Sequence, residues 1–256
     1  MPESAFIDHR DEATESPLRP RVRVAPIGNL RYGYKALVLG VALFSLAGCQ
    51  TNPFVDHVYG PSYQPSNVYR EEAILPSKLK RLAVLPLTFV GDQAEMEFGR
   101  DTLWPVLMDE VGRVKQFEIV PVSADQLLRW TGRGVWTGEE PLPENFFEKL
   151  RAAIGVDGVL ICRLTRYRAY EPLAIGWRVK LVDTDEPRIL WAVDEVFDAG
   201  EPAVVNAARR FAQAHPEAAP VNDSHGILRS PRRFAQYTAS EVFRTLPPRD
   251  AHSLSK

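Results

Sequence analysis

The chain of 256 residues is poor in sulfur, with two cysteines and three methionines. Two cysteines cannot build a disulfide framework or a four-cysteine zinc site. It also lacks charge of one sign: formal net charge is −2, and residues 1–35 hold six Lys/Arg against five acids, so the rest sits at −3. Nucleic-acid binding needs a concentrated basic face, so a nucleic-acid partner is not expected. A third scarcity is the long apolar run. A membrane-spanning helix needs about 20 apolar residues, and the uncharged apolar run here, ALVLGVALFSLAG at 36–48, has 13. Recognised catalytic signatures are missing too: there is no G-x-S-x-G, H-E-x-x-H, Gly-rich phosphate loop or C-x-x-C. No enzyme activity and no cofactor are expected. A 45% hydrophobic and 25% charged composition is that of an ordinary globular protein.

What is there begins with that apolar run. Arg31 and Lys35 precede it, and it ends in Leu46-Ala47-Gly48-Cys49. Cations, a short apolar core and small residues before a cysteine make a secretory signal, and the last four residues resemble a bacterial lipobox. The reading is a signal peptide over 1–48, with Cys49 acylated on its sulfur and anchoring the mature chain to a membrane. Gln50 follows; by resemblance to Gram-negative lipoproteins, the absence of Asp there implies the outer membrane, periplasmic face. Thirty-five residues before the run is long for a signal peptide, so translation is expected to start downstream, with Leu30 a natural site and 1–29 an extension. N-terminal mapping of the uncleaved precursor tests this. With Cys49 acylated, Cys162 is left as a small buried hydrophobe within GVLICRL.

Residues 49–80 read as an extended tether, carrying Pro53, Pro61, Pro65 and Pro76 and no sustained period. A globular domain is expected over 81–247 and a frayed tail over 248–256. Apolar, β-branched runs predict strands at 81–90, 117–122, 158–170, 175–183 and 188–197. Helical periodicity predicts helices at 93–112, 123–130, 142–155, 201–215 and 230–246. Pro105 should kink the first helix or restart it. The fold class is α/β, α+β mixed: a mixed parallel and antiparallel sheet of about five strands with helices packed on it. The crossovers between early strands make those pairings parallel, and the last three strands form an antiparallel meander.

This order, with LAVLPL at 82–87, IGVDGVLICRL at 154–164 and VKLVDTDEPRILWAVDEV at 179–196, resembles the α/β domain of a bacterial envelope group. Its members include the curli secretion lipoprotein CsgG, the penicillin-binding-protein activator LpoB and the N-terminal domain of TolB. The likeness spans 81–215. Glu186-Pro187 stands where the group's hairpin turn carries glycine. The resemblance implies a non-catalytic scaffold or regulator of cell-wall synthesis or surface-structure export, with envelope protein partners and scope for a homo-oligomer. A ring-forming accessory subunit and a periplasmic enzyme with an unrecognised site stand as alternatives. A pore of the curli type needs added alternating segments of about 9–11 residues, and the sequence offers no such pair outside the sheet.

Among recognition candidates, Trp130, Arg133 and Trp136 sit in RWTGRGVWTG, where large rings beside Arg and Gly suit a partner-binding loop or a fold-back onto the core. RRFAQ occurs at 209–213 and again at 232–236, each giving a helix with a basic pair and one buried Phe. His215, Asp223 and His225 share one loop but lack ligand spacing, so no metal is expected. Asp183 and Asp185 read as a side-chain-stabilised turn, and Asp157 as a carboxylate bonding backbone amides.

Overall fold

The computed structural model describes residues 63–91, 94–215 and 226–250. Signal peptide, lipobox and Cys49 lie outside them. The strands are β1 (Val68–Arg70), β2 (Arg81–Val84), β3 (Thr88–Phe89), β4 (Glu118–Pro121), β5 (Gly158–Arg168), β6 (Ala174–Asp183) and β7 (Ile189–Asp198). The helices are α1 (Ala94–Arg113), α2 (Ala124–Thr131), α3 (Phe146–Ile154), α4 (Pro202–Ala214) and α5 (Pro231–Arg244), with a 3₁₀ turn at Gly226–Leu228. One sheet runs β1-β7-β6-β5-β2-β4, and β3 pairs with β5. β2 lies parallel to β4 and β5, while β5, β6, β7 and β1 are mutually antiparallel. The mixed sheet is as expected; it has seven strands rather than about five.

The two additional strands have separate causes. Pro86 has no N–H to give the ladder, so the first apolar run breaks into β2 and β3. Beyond the break, Thr88 and Phe89 pair with Arg163 and Leu164 of β5. β1 lies inside the expected tether, and the tether reading is corrected from residue 63 onward. The Tyr63 hydroxyl donates to Glu195 at 2.7 Å and its ring meets Phe197 at 5.3 Å. The Ser66 and Asn67 amides also donate to Glu195, and Leu75 and Leu79 are buried. The short segment has no period of its own because the edge of β7 supplies its order. The tail changes likewise: Pro248 accepts from the Leu75 amide and Arg249 bonds Gln116 and Leu79, so the fold extends to Asp250.

The sheet carries a core on each face. On one, α1, α4 and α5 cover Leu82, Leu160, Cys162, Leu164, Trp177, Val179, Leu181, Trp191 and Phe197. Cys162 is fully buried there, which pushes its thiol pKa up. On the other, α2 and α3 cover Ala83, Leu85, Val159, Ile161 and Val182 with Leu127, Phe146, Phe147 and Leu150. α1 runs on through Pro105 as one helix, so no restart occurs. Both RRFAQ phrases deliver their phenylalanine to one ring: Phe211 and Phe234 each lie 5.8 Å from Tyr237.

Candidate interaction surface

The second core stops at Ile161 and Val182. Strand alternation carries the same sheet face onward across β6, β7 and β1, and its residues there change character. Register sets Arg163, Arg178 and Asp194 side by side across three strands, with Ile161, Lys180, Ala192 and Tyr69 in the next row and Arg166, Gly176 and Val196 in the row beyond. Arg178 and Lys180 fall outward because Trp177, Val179 and Leu181 take the buried side of the alternation.

The loop between α2 and α3 closes part of this face. The first turn of α2 is fixed by a capping box between Ser123 and Gln126, and its end by Gly132 in the left-handed region. Trp136 then folds back: it is buried, its indole N–H donates to the Thr131 hydroxyl at 2.9 Å, and its ring meets Phe146 edge-on at 5.4 Å. Glu140 accepts from the Thr137 amide and hydroxyl and faces Arg133; these contacts outweigh the opposing effect of burial and hold its pKa at about 2. The loop so braced presents Gly138 and Glu139 to the sheet. Lys180 donates to the Gly138 carbonyl at 2.8 Å, and Glu139 pairs with both Arg163 and Arg178. Arg178 also pairs with Asp194 at 2.7 Å. Bonding to Arg163, then the nearby charge of both arginines, holds the Glu139 carboxyl below the usual carboxylate range.

Three cations (Arg163, Arg178, Lys180) thus meet two carboxylates (Glu139, Asp194), and Arg166 adds another exposed cation. The loop reaches as far as β6. Beyond it, Tyr69 is 52% and Val196 39% exposed, and no helix among the described residues packs over β7 and β1 on this side. The result is a cationic strip bordered by an aromatic ring and a valine at the open end of the sheet.

The sequence-based candidates fall differently. Trp136 belongs to the core, so a partner-binding role for its ring is corrected. Its flanking glycines allow the turn that inserts it, which composition alone reads as a surface loop. Trp130 is half-buried against the same core, and Arg133 is exposed but stacks on Trp136 at 5.0 Å. The His215 ring stacks on Phe211, while Asp223 and His225 lie outside the described residues. Asp183 accepts from the Asp185 and Glu186 amides, so the side-chain-stabilised turn replaces the missing glycine. Asp157 bonds the Lys80 and Arg81 amides across the sheet entrance. Sequence alternation shows Arg178 and Lys180 facing away from the core; nothing in it signals that Glu139 of a distant loop joins them.

No protein-family model matches the chain, and no curated protein matches it by sequence. Solved structures give distant likenesses. PelC, solved as a dodecamer from Paraburkholderia phytofirmans, is 9% identical over 72% of this chain and 96% of its own, with a TM-score of 0.41. Lipoprotein GNA1162 from Neisseria meningitidis is 16% identical over 54% and 98%, with a TM-score of 0.36. The LpoB C-terminal domain from Salmonella enterica is 14% identical over 46% and 82%, with a TM-score of 0.30. TolB from Acinetobacter baumannii is 14% identical over 59% of this chain and 31% of its own, with a TM-score of 0.25.

Proposed function

We propose that this chain is an outer-membrane lipoprotein, anchored through Cys49 on the periplasmic side, that holds an envelope protein against the membrane without chemistry of its own. The observation that carries the reading is the sheet face that, among the described residues, is covered over only half its width. A monomeric domain covers its sheet faces or lines them with solvated charge, and here cations sit beside exposed Tyr69 and Val196. Interfaces favour this mixture of Arg and aromatic residues. The surplus of cations selects a partner with an acidic surface. Anchorage supports the same role: a lipid at residue 49 confines the domain near the bilayer and raises its effective concentration toward membrane-bound partners.

A photo-crosslinking side chain at position 69, in the native host, tests it against the same group at position 98, where Phe98 is exposed on α1. A membrane-associated protein captured from 69 and not from 98, and lost on Arg178→Glu, supports the docking face. Equal capture from both positions, or capture unchanged by Arg178→Glu, removes it. Mass spectrometry of the natural protein tests the anchor separately: an unmodified cysteine in a cytosolic chain ends the envelope reading.

A further inference from the structure

A second feature lies on the opposite half of the sheet, where β2 and β4 end. From β2 the chain passes through the short β3 to α1 on one face; from neighbouring β4 it turns to α2 on the other. Parallel strands whose connections diverge in this way leave a crevice at their carboxyl ends, the usual ligand position in open α/β sheets. Here the crevice is a pocket of about 300 Å³, walled by Pro86, Leu87 and Val122, with Arg100, Asp101 and Trp104 from α1 and Ser123 from the α2 cap. Positions 100, 101 and 104 share one helical face, so one turn of α1 supplies a cation, a carboxylate and an indole to one opening.

These groups are held before any ligand arrives. The Arg100 guanidinium lies over the Phe89 ring at 5.3 Å, gives its Nε to Asp101 at 2.8 Å and one terminal nitrogen to Glu97 at 3.1 Å. Ser123 is committed to the capping box, so it is wall rather than reagent. The Asp101 carboxylate keeps its second oxygen as an acceptor, and Arg100 keeps donors beyond the two it uses.

Charge and size then select the ligand. One guanidinium stands between two carboxylates, so an entering anion meets repulsion from Asp101 and Glu97. A purely apolar ligand would strip water from Arg100 and Asp101 and return nothing. A pocket at the bottom of the range of about 300–1,000 Å³ admits one ring rather than a dinucleotide. The geometry points to a neutral sugar ring, its C–H face against Trp104 and Leu87 and adjacent hydroxyls bonded to Asp101 and Arg100. Hydroxyls donate and accept at once, which matches a fixed carboxylate beside a fixed guanidinium. This would be a saccharide subsite distinct from the cationic strip and independent of the docking role.

The test titrates the full chain, in detergent, with a β-1,4 N-acetylglucosamine tetramer, with cellotetraose and with inorganic phosphate, by calorimetry and by indole N–H signals. There are five tryptophans to resolve. Saturable binding of at least one saccharide, moving the Trp104 indole signal, is expected. Asp101→Asn and Trp104→Ala should each weaken it by about tenfold or more, with Trp104→Phe intermediate. Asp101 is exposed, so its variant should fold normally and remain decisive if Trp104→Ala does not fold. Heat from neither saccharide, affinity unchanged in Asp101→Asn, or phosphate saturating the pocket through Arg100 would each overturn the assignment.

Discussion

Three glutamates show how position sets the sign of an acid's contribution. Glu110 on α1 and Glu241 on α5 are buried, and burial is the first cause that raises both pKa values, only partly offset by Arg113 and Arg244. Glu139 is shifted the other way by its two arginines. For Glu110 the folded pKa exceeds the unfolded one, so the native state binds the proton more tightly. Stability then falls as pH rises through the window above the ordinary glutamate value, and the penalty persists at neutral pH. Glu110→Gln should therefore raise the Tm at pH 7, by about 2–4 °C if it recovers about 1 kcal/mol, with the gain vanishing toward pH 4. For Glu139 the folded pKa is the lower. Its stabilisation is present above the ordinary value and is lost as pH falls through the folded one. Glu139→Gln should lower stability at pH 7, and because the group is partly exposed the loss should stay near or below about 1 kcal/mol. Thermal unfolding of both variants at pH 7 and pH 4 checks the pair: the differences from the parent protein must have opposite signs at pH 7 and both must shrink in acid.

At the scale of elements, α1 sits on the sheet through a glycine. A Cβ at Gly99 would lie 2.6 Å from the Tyr167 ring, a buried side chain of β5 that has little room to yield. Mid-helix glycine costs about 1 kcal/mol relative to alanine, so its presence reflects this close approach. Gly99→Ala should destabilise by about 1–3 kcal/mol, and in a Tyr167→Val background the same change should become neutral or stabilising; a penalty unchanged by the second substitution would refute the contact. The segment before β2 supplies a second case. Leu79 is fully buried between Gly158 and Arg249 contacts, so Leu79→Ala should cost about 2–5 kcal/mol in denaturant unfolding, where a free tether would cost nothing. The sequence shows long elements well because their periodicity is local: β5, β6, β7 and α2 to α5 lie within a few residues of expectation. It hides β1, whose order comes from β7 more than a hundred residues away, and the buried Leu75 and Leu79, which are bonded to Pro248, Arg249 and Asp250 near the chain's end. It half-shows the candidate interaction face, since alternation turns Arg178 and Lys180 outward, but the Glu139 bridge and the Trp104 pocket exist only after folding.

For the whole molecule, the proposed anchor and the proposed docking face would make separable contributions to a single act of recruitment. If a lipid at residue 49 only confines the domain, it adds effective concentration and no contacts, an avidity gain of about 10²–10⁴ that depends on geometry. Cys49→Ser should then leave the purified protein's affinity for its partner unchanged while capture from position 69 in the cell falls by about a hundredfold. Arg178→Glu should do the reverse, leaving the chain in the membrane fraction while weakening the purified interaction. Salt separates them further: the strip's contribution is electrostatic and partly exposed, so binding by the parent protein should weaken as ionic strength shortens the Debye length from about 10 Å toward 3 Å, and binding by Arg178→Glu should respond far less. Fractionation, crosslinking and a salt titration on the same two variants decide it. A Cys49→Ser protein that still captures its partner at parental levels would show that the interaction does not depend on the bilayer, and that recruitment is accomplished by the sheet face alone.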